Sequence, residues 1–435
     1  MIEVDGDDNS ASSAEPAGDE ANGGSPKTSR RRLLAASAVA AGAVAAGGAW
    51  VSSAQPWSNP SLPSGMLDRI RRGERFRLRD LGIRIGQLNT GKWNAITDVP
   101  GVKVGYKTII RDTPRIARTG VTIIKPRNEP MQRNWCNAGW YSLNGNGEMT
   151  GTHWLDETGK LTSVIGITNT MQVGIVRDTL LKIGLETEPD LEFLLPVVAE
   201  TYDGALNDPL ALAITEQDVR DAYTSAASGP VAEGNVGGGT GMHYFDFKGG
   251  SGTSSRIVNH KGTDYTVGVF VQANYGQRPY LRVNGAPVGK EIPVTEVAKD
   301  GPPLRSGSCI AVIATDAPLL STQCRRLAVR AGIGIANTGS VGDNGSGDIY
   351  LAFSTANQIR QDTEVDFDVS KSIPDNDDMN IFFHAVSEAF QEAAHNAACM
   401  ARTMVGATTT IYELPLDRLV QIVQDHDLYG GGFPG

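Results

Sequence analysis

The chain has 435 residues, a net charge of −10 and 51 glycines, with apolar content sufficient for a large core. No basic stripe is present, which excludes the electrostatic footprint of a nucleic-acid binder. The four cysteines (Cys136, Cys309, Cys324, Cys399) lie far apart and read as core thiols, neither a disulfide framework nor a metal centre.

Residues 1–28 are rich in Asp, Glu, Gly, Ser and Ala and read as disordered. Arg30-Arg31-Arg32 then precedes an Ala/Val/Gly run that ends at Trp50, and Ser52-Ser53-Ala54 supplies small residues for cleavage. This pattern predicts a leader over residues 1–54 carrying a twin-arginine export signal, and so a periplasmic or secreted protein. The same run, left uncleaved, would be a membrane anchor, although it is short and alanine-rich for one. A Pro/Ser-rich linker is expected over 55–74, and the arginines of Arg69 to Arg84 suggest a short helix at a surface or interface.

Strand and helix signals alternate from there. Val102–Ile110, Thr119–Ile124, Trp140–Leu143, Ser163–Thr168, Leu194–Val198, Met242–Phe247, Tyr265–Ala273, Cys309–Ala314 and Ile349–Phe353 read as strands. Apolar residues three or four apart predict helices at Val173–Ile183, Thr215–Ala227 (with Thr215 as cap), Thr322–Ala331, Asn380–Ala401 and Leu416–Val423. Asp375, Asp377 and Asp378 suit the N-terminus of the longest helix; a calcium loop there would lack its glycine and distal glutamate. The pattern predicts a mixed α/β architecture with helices packed on sheet.

Several sharper chemistries fail on their spacing. Gly234-Asn235-Val236-Gly237-Gly238-Gly239-Thr240-Gly241 lacks the Lys-Ser/Thr ending of a phosphate loop and is followed by a strand signal, so it reads as backbone lining. The six histidines show no metal-ligand spacing, and no Gly-x-Ser-x-Gly elbow appears. Gly307-Ser308 leads straight into the apolar run Cys309–Ala314. A serine freed there by cleavage of the Gly307–Ser308 bond would bring its own base, an α-amino group with a pKa of about 8. Asn274, at the end of a strand in Val271-Gln272-Ala273-Asn274-Tyr275-Gly276, is a candidate donor to an oxyanion.

In order, Asn144-Gly145-Asn146-Gly147-Glu148-Met149-Thr150-Gly151, Pro196-Val197-Val198-Ala199-Glu200-Thr201-Tyr202-Asp203-Gly204, the glycine cluster, the Asn274 turn, Gly307-Ser308 with Ala314-Thr315-Asp316-Ala317-Pro318, and Asn344-Gly345-Ser346-Gly347-Asp348-Ile349 make a combined signature. From about residue 75 to near the C-terminus the chain resembles the self-processing N-terminal serine hydrolases that include L-aminopeptidase/D-esterase and the β-peptidyl aminopeptidases. The resemblance implies a four-layer αββα sandwich. It also implies self-cleavage into an α-chain (75–307) and a β-chain (308–435) that stay together. It implies Ser308 as nucleophile and new amino terminus, Ser346 and Asp348 as proton-relaying partners, and Asn274 as oxyanion donor. Glu200 would pair with the substrate's free amino group, and Tyr202 would lie beside the scissile carbonyl. Many β-peptidyl members carry glutamate where this chain has Asp348. No metal or other cofactor is implied; the partners expected are a small peptide, amide or ester with a free amino end and further copies of the chain.

Two other readings compete. One is a self-processing acyltransferase or ω-amino-acid oligomer hydrolase of the same fold, against which Ser308 counts because such relatives often use threonine. The other is a secreted, uncleaved binding protein that uses the glycine cluster for a ligand.

Overall fold

The computed structural model describes residues 62, 64–128, 131, 134–301, 307–360, 372–426 and 428. The expected leader (1–54) and the first part of the expected linker lie outside these residues. In chain order the strands are β1 (Lys103–Arg111), β2 (Ala117–Lys125), β3 (Asn134–Ser142), β4 (Lys160–Leu161), β5 (Ile165–Asn169), β6 (Val197–Thr201), β7 (His243–Tyr244), β8 (Phe247–Lys248), β9 (Gly250–His260), β10 (Thr263–Asn274), β11 (Ser308–Thr315), β12 (Gly347–Arg360), β13 (Met404–Val405) and β14 (Thr410–Ile411). The helices are α1 (Met66–Arg71), α2 (Thr152–Thr158), α3 (Val173–Thr187), α4 (Glu216–Thr224), α5 (Val288–Glu291), α6 (Ser321–Asn337), α7 (Asn380–Met400) and α8 (Leu416–Asp425).

Two sheets carry the architecture. One has the order β1-β2-β5-β6, the other β4-β3-β12-β11-β10-β9. Side chains alternate along β11, whose every residue is buried. Ile310, Val312 and Ala314 join Val121, Ile123, Ile165 and Val198 of the other sheet in one core. Cys309, Ala311 and Ile313 face the opposite way, into a second core with Leu327, Ala389, Ala393 and Ala397 of α6 and α7. Helices α3 and α4 pack on the outer face of the four-stranded sheet. The layers are therefore helix, sheet, sheet, helix: the αββα sandwich. A central strand buried on both faces needs the continuous apolar run that the sequence shows.

The helices fall where periodicity puts them. Thr215 caps α4 by accepting from Asp218 N, while the Asp218 carboxylate accepts from Thr215 N, a reciprocal capping box. Three expectations change. Residues 66–71 of the expected linker form α1, whose Met66 and Ile70 are in the helix-side core. The strand expected at Met242–Phe247 is the hairpin β7–β8, turned by Phe245 and Asp246 at φ 49° and 63°. Strand β9, pairing with β10 over eleven residues, has no apolar alternation in Gly250-Ser251-Gly252-Thr253-Ser254-Ser255 and escaped the sequence reading.

Strand β9 is polar because α7 presses on it. A Cβ on Gly252 would lie 2.0 Å from Ala393 O, so only glycine allows this approach. Beside it, Arg256 Nη2 pairs with Glu392 Oε2 at 2.8 Å, and Arg79 Nε reaches Glu392 Oε1 at 2.9 Å. The Arg256 and Glu392 side chains are fully buried. Removing one member of such a pair leaves an uncompensated charge. Glu392→Ala is expected to cost about 3–5 kcal/mol in a chemical-denaturation experiment.

Candidate active site

The alternation that sends Ile310 and Val312 between the sheets sends Ser308 the same way, at the strand's first residue. Asn274, the last residue of β10, is its cross-strand partner. Both are nearly fully buried. Ser308 Oγ accepts from the backbone N of Tyr202 at 3.2 Å and from Asn274 Nδ2 at 3.3 Å. The Asn274 carboxamide cannot turn freely, since Nδ2 also donates to Tyr202 O at 2.8 Å and Oδ1 accepts from His243 N at 3.0 Å. Two N–H donors thus converge beside a hydroxyl, as stabilisation of an oxygen anion next to a nucleophile requires. The main chain of Tyr202, and not its phenol, reaches Ser308. The ring lines the cleft, half-exposed, and folds back against Gly204.

Glu200 is the penultimate residue of β6, opposite Thr168 of β5, and not beyond the strand as its sequence context suggested. It is 3% exposed. Its Oε1 accepts from Glu148 N at 3.0 Å and its Oε2 from the Thr170 hydroxyl. Burial pushes its pKa up, and these two hydrogen bonds only partly oppose that. No cation among the described residues compensates it. Glu200 is a buried carboxylate oriented by two donors and open to a cation from outside.

Ser346 and Asp348, two residues apart, meet: Ser346 Oγ donates to Asp348 Oδ1 at 2.7 Å. Asn144 clamps the acid from the other side: Nδ2 donates to Asp348 Oδ2 at 2.8 Å, and Oδ1 accepts from Asp348 N at 2.6 Å. Burial raises the Asp348 carboxyl to about 6 against these two bonds. Asp348 shares the sheet face of Tyr350 and Ala352, the face opposite to that of Ser308. Ser346 accordingly makes no hydrogen bond with the Ser308 hydroxyl. Its Oγ sits beside Gly307, 3.2 Å from where a Cβ on that glycine would stand. The Gly307 carbonyl accepts from Gly347 N at 3.2 Å.

Glu200, Tyr202 and Ser308 border a cleft of about 540 Å³ lined also by Asn146, Glu148 and Thr170, with glycines 145, 147 and 307 between them. Its charged lining is acidic, from Glu148 and Glu200. The glycines at 147 and 347 are where the Asn144–Glu148 loop meets the start of β12. A Cβ on Gly347 would lie 2.4 Å from Asn146 O, and one on Gly147 2.9 Å from Gly347 Cα. The 234–241 cluster has another role: the turn at Gly237–Gly241 is buried, with Gly238 N bonded to Thr122 Oγ1 at 3.0 Å. It packs against strands of both sheets, as backbone lining. Among the described residues no group of His, Cys, Asp or Glu could hold a metal ion. Sequence reasoning missed Thr170, whose only signal is its place one residue past β5, beside β6. It also gave no role to Asn144, although that residue opens a quoted motif.

The fold and this site together define the class: a four-layer hydrolase with a serine at the first residue of a central strand. Residues 94–411 match the model of Peptidase family S58. The chain is 43% identical over 386 residues to the beta-peptidyl aminopeptidase BapA of Sphingosinicella microcystinivorans, covering 84% of this chain and 97% of that protein. The solved structure of L-aminopeptidase D-Ala-esterase/amidase from Ochrobactrum anthropi, described as a variant of the Ntn hydrolase fold, superposes with a TM-score of 0.76 at 41% identity, over 81% of this chain and 99% of that one. A Burkholderia sp. beta-aminopeptidase gives 0.75 at 42% identity, over 82% of this chain and 100% of that one. The chain belongs to peptidase family S58 and is a peptide-bond hydrolase.

The Asn144 clamp has a pH signature. Its Nδ2 hydrogen bond favours ionised Asp348, so losing it raises that pKa further. Asn144→Ala is expected to cost about 1.5–3 kcal/mol where Asp348 is ionised. Denaturant titrations at a series of pH values should show the gap from wild type widening as pH rises through about 6.

Proposed function

We propose that the chain is a self-processing aminopeptidase that breaks its own Gly307–Ser308 bond and then uses Ser308 as an N-terminal nucleophile on short peptides, amides or esters with a free amino end. The observation that carries this reading is the buried Glu200, which no cation among the described residues compensates, in the same cleft as Ser308 and its two N–H donors. A carboxylate so placed suits a terminal ammonium, bound through a charge-assisted hydrogen bond.

In self-cleavage, Ser308 Oγ attacks the Gly307 carbonyl carbon. The carbonyl oxygen is held by Gly347 N–H, and Ser346, backed by Asp348, lies beside the reacting glycine. The proton released by Oγ passes to the peptide nitrogen of Ser308, which leaves as an amine, and an ester joins Gly307 to Oγ. Water then releases Gly307 as a carboxylate. In turnover, the new α-amine takes the Ser308 hydroxyl proton as Oγ attacks the substrate carbonyl. Asn274 Nδ2 and Tyr202 N–H stabilise the resulting oxyanion. The proton passes to the leaving amine, and water hydrolyses the acyl-enzyme. Ser346 and Asp348 orient the amine and relay protons. The Arg30-Arg31-Arg32 leader supports export of the protein by the twin-arginine route.

Intact-mass measurement of purified protein is expected to give two chains, the second beginning at Ser308, with the leader removed. Ser308→Ala should give one uncleaved and inactive chain; two chains from that variant would rule out the assigned bond. Glu200→Gln should process normally and raise KM for an aminoacyl p-nitroanilide by roughly 10–100-fold, the worth of one hydrogen bond to a charged group. An unchanged KM would remove the ammonium assignment.

A further inference from the structure

Lys248, on β8, is fully buried and has no acid partner among the described residues. Its ammonium donates to two backbone carbonyls, Met242 O at 2.7 Å and Gly249 O at 2.9 Å. The first acceptor matters most, because it belongs to the same peptide unit as His243 N. That N–H donates to Asn274 Oδ1 at 3.0 Å, and Asn274 Nδ2 donates onward to Ser308 Oγ at 3.3 Å. A line of donors therefore runs from a buried cation through one peptide group and one carboxamide to the nucleophile, every bond pointing the same way.

We infer that Lys248 is a positioning residue for the oxyanion site, acting through the Met242–His243 peptide and the Asn274 carboxamide to orient and polarise the Asn274 N–H. The inference rests on the roles proposed above for Ser308 and Asn274. Hydrogen bonds in series polarise one another, by about 10–30% per bond in condensed-phase estimates, and the effect is largest where water cannot screen it. A cation drawing on Met242 O makes His243 N–H a stronger donor. That in turn draws electron density toward Asn274 Oδ1 and leaves Nδ2–H more acidic. The cost of burying the charge shows in the ammonium, which burial alone pulls down to about 7. A lysine present only for packing would be replaceable by a neutral chain of the same length.

Self-cleavage gives an internal control, since the Gly307 oxygen is held by Gly347 N–H and not by Asn274. The experiment compares wild type with Lys248→Met, Lys248→Gln and Ser308→Ala, measuring intact mass, melting temperature, and kcat and KM on an aminoacyl p-nitroanilide. Both neutral Lys248 variants are expected to cleave themselves completely and to melt no lower than wild type. Their kcat should fall roughly tenfold, less than the ~10²–10³ typical of losing an oxyanion donor outright, with KM unchanged. Gln keeps a donor toward Met242 O, so it guards against a variant that fails only through an unbonded carbonyl. Wild-type kcat in either folded variant overturns the inference, as does failure of both to fold or to self-cleave, or a KM change equal to the kcat change. Activity remaining in Ser308→Ala would instead overturn the nucleophile assignment on which the inference rests.

Discussion

The constraint on which the rest depends is that β11 is buried on both faces. A strand between two cores has no solvent-facing side, so each residue belongs to one core or the other, and a register slip of one position would exchange them. Ile310 and Val312 fix the inter-sheet face, and that choice carries Ser308 toward β6. Asn274 arrives by the antiparallel register with β10, and Gly347 by the parallel register with β12. The site is assembled by strand ends meeting, with no long loop needed to bring Ser308 and the N–H groups that bond it together. Precision of this kind comes from rigid elements.

Within that frame, the functional groups are distinguished by what is left uncompensated. Glu392 is as buried as Glu200, yet two arginines and Asn94 answer it, and its role is to hold α7 on β9. Glu200 has a hydroxyl and a backbone N–H and, among the described residues, no cation. The difference is one of chemistry and not of depth: a satisfied pair contributes structure, whereas an oriented and unpaired carboxylate is poised for a ligand. Lys248 presents the opposite sign of the same situation behind Asn274, its charge directed into carbonyl groups instead of a carboxylate.

Much of this was legible in the sequence. The β11 run, the capped helix at Glu216–Thr224, the two-residue spacing of Ser346 and Asp348 and the turn at Asn274 are local signals, and periods of 2 and 3.6 read them. What escaped is non-local. The polarity of Gly250–Ser255 makes sense only once Ala393 and Glu392 of α7 are set against it, more than a hundred residues away. Thr170 acquires a role because β5 and β6 run parallel and bring it to Glu200. Tyr202 meets Ser308 through its backbone N–H, a contact that no side-chain pattern can announce.

The acid at position 348 shows how such a gap closes. Read from the chain alone, aspartate in place of the glutamate of many β-peptidyl members shortens the side chain's reach by one methylene. In the folded protein the shorter side chain reaches Ser346 Oγ at 2.7 Å, because Ser346, just before β12, and Asp348, the strand's second residue, lie two positions apart. Asn144 then occupies the second carboxylate oxygen and the backbone N–H together. The glycines at 147 and 347 allow the loop that carries Asn144 to lie against the strand. The acid is held on three sides by residues drawn from two of the quoted motifs, Asn144–Gly151 and Asn344–Ile349. One motif supplies the carboxylate and its Ser346 partner, and the other supplies the Asn144 clamp.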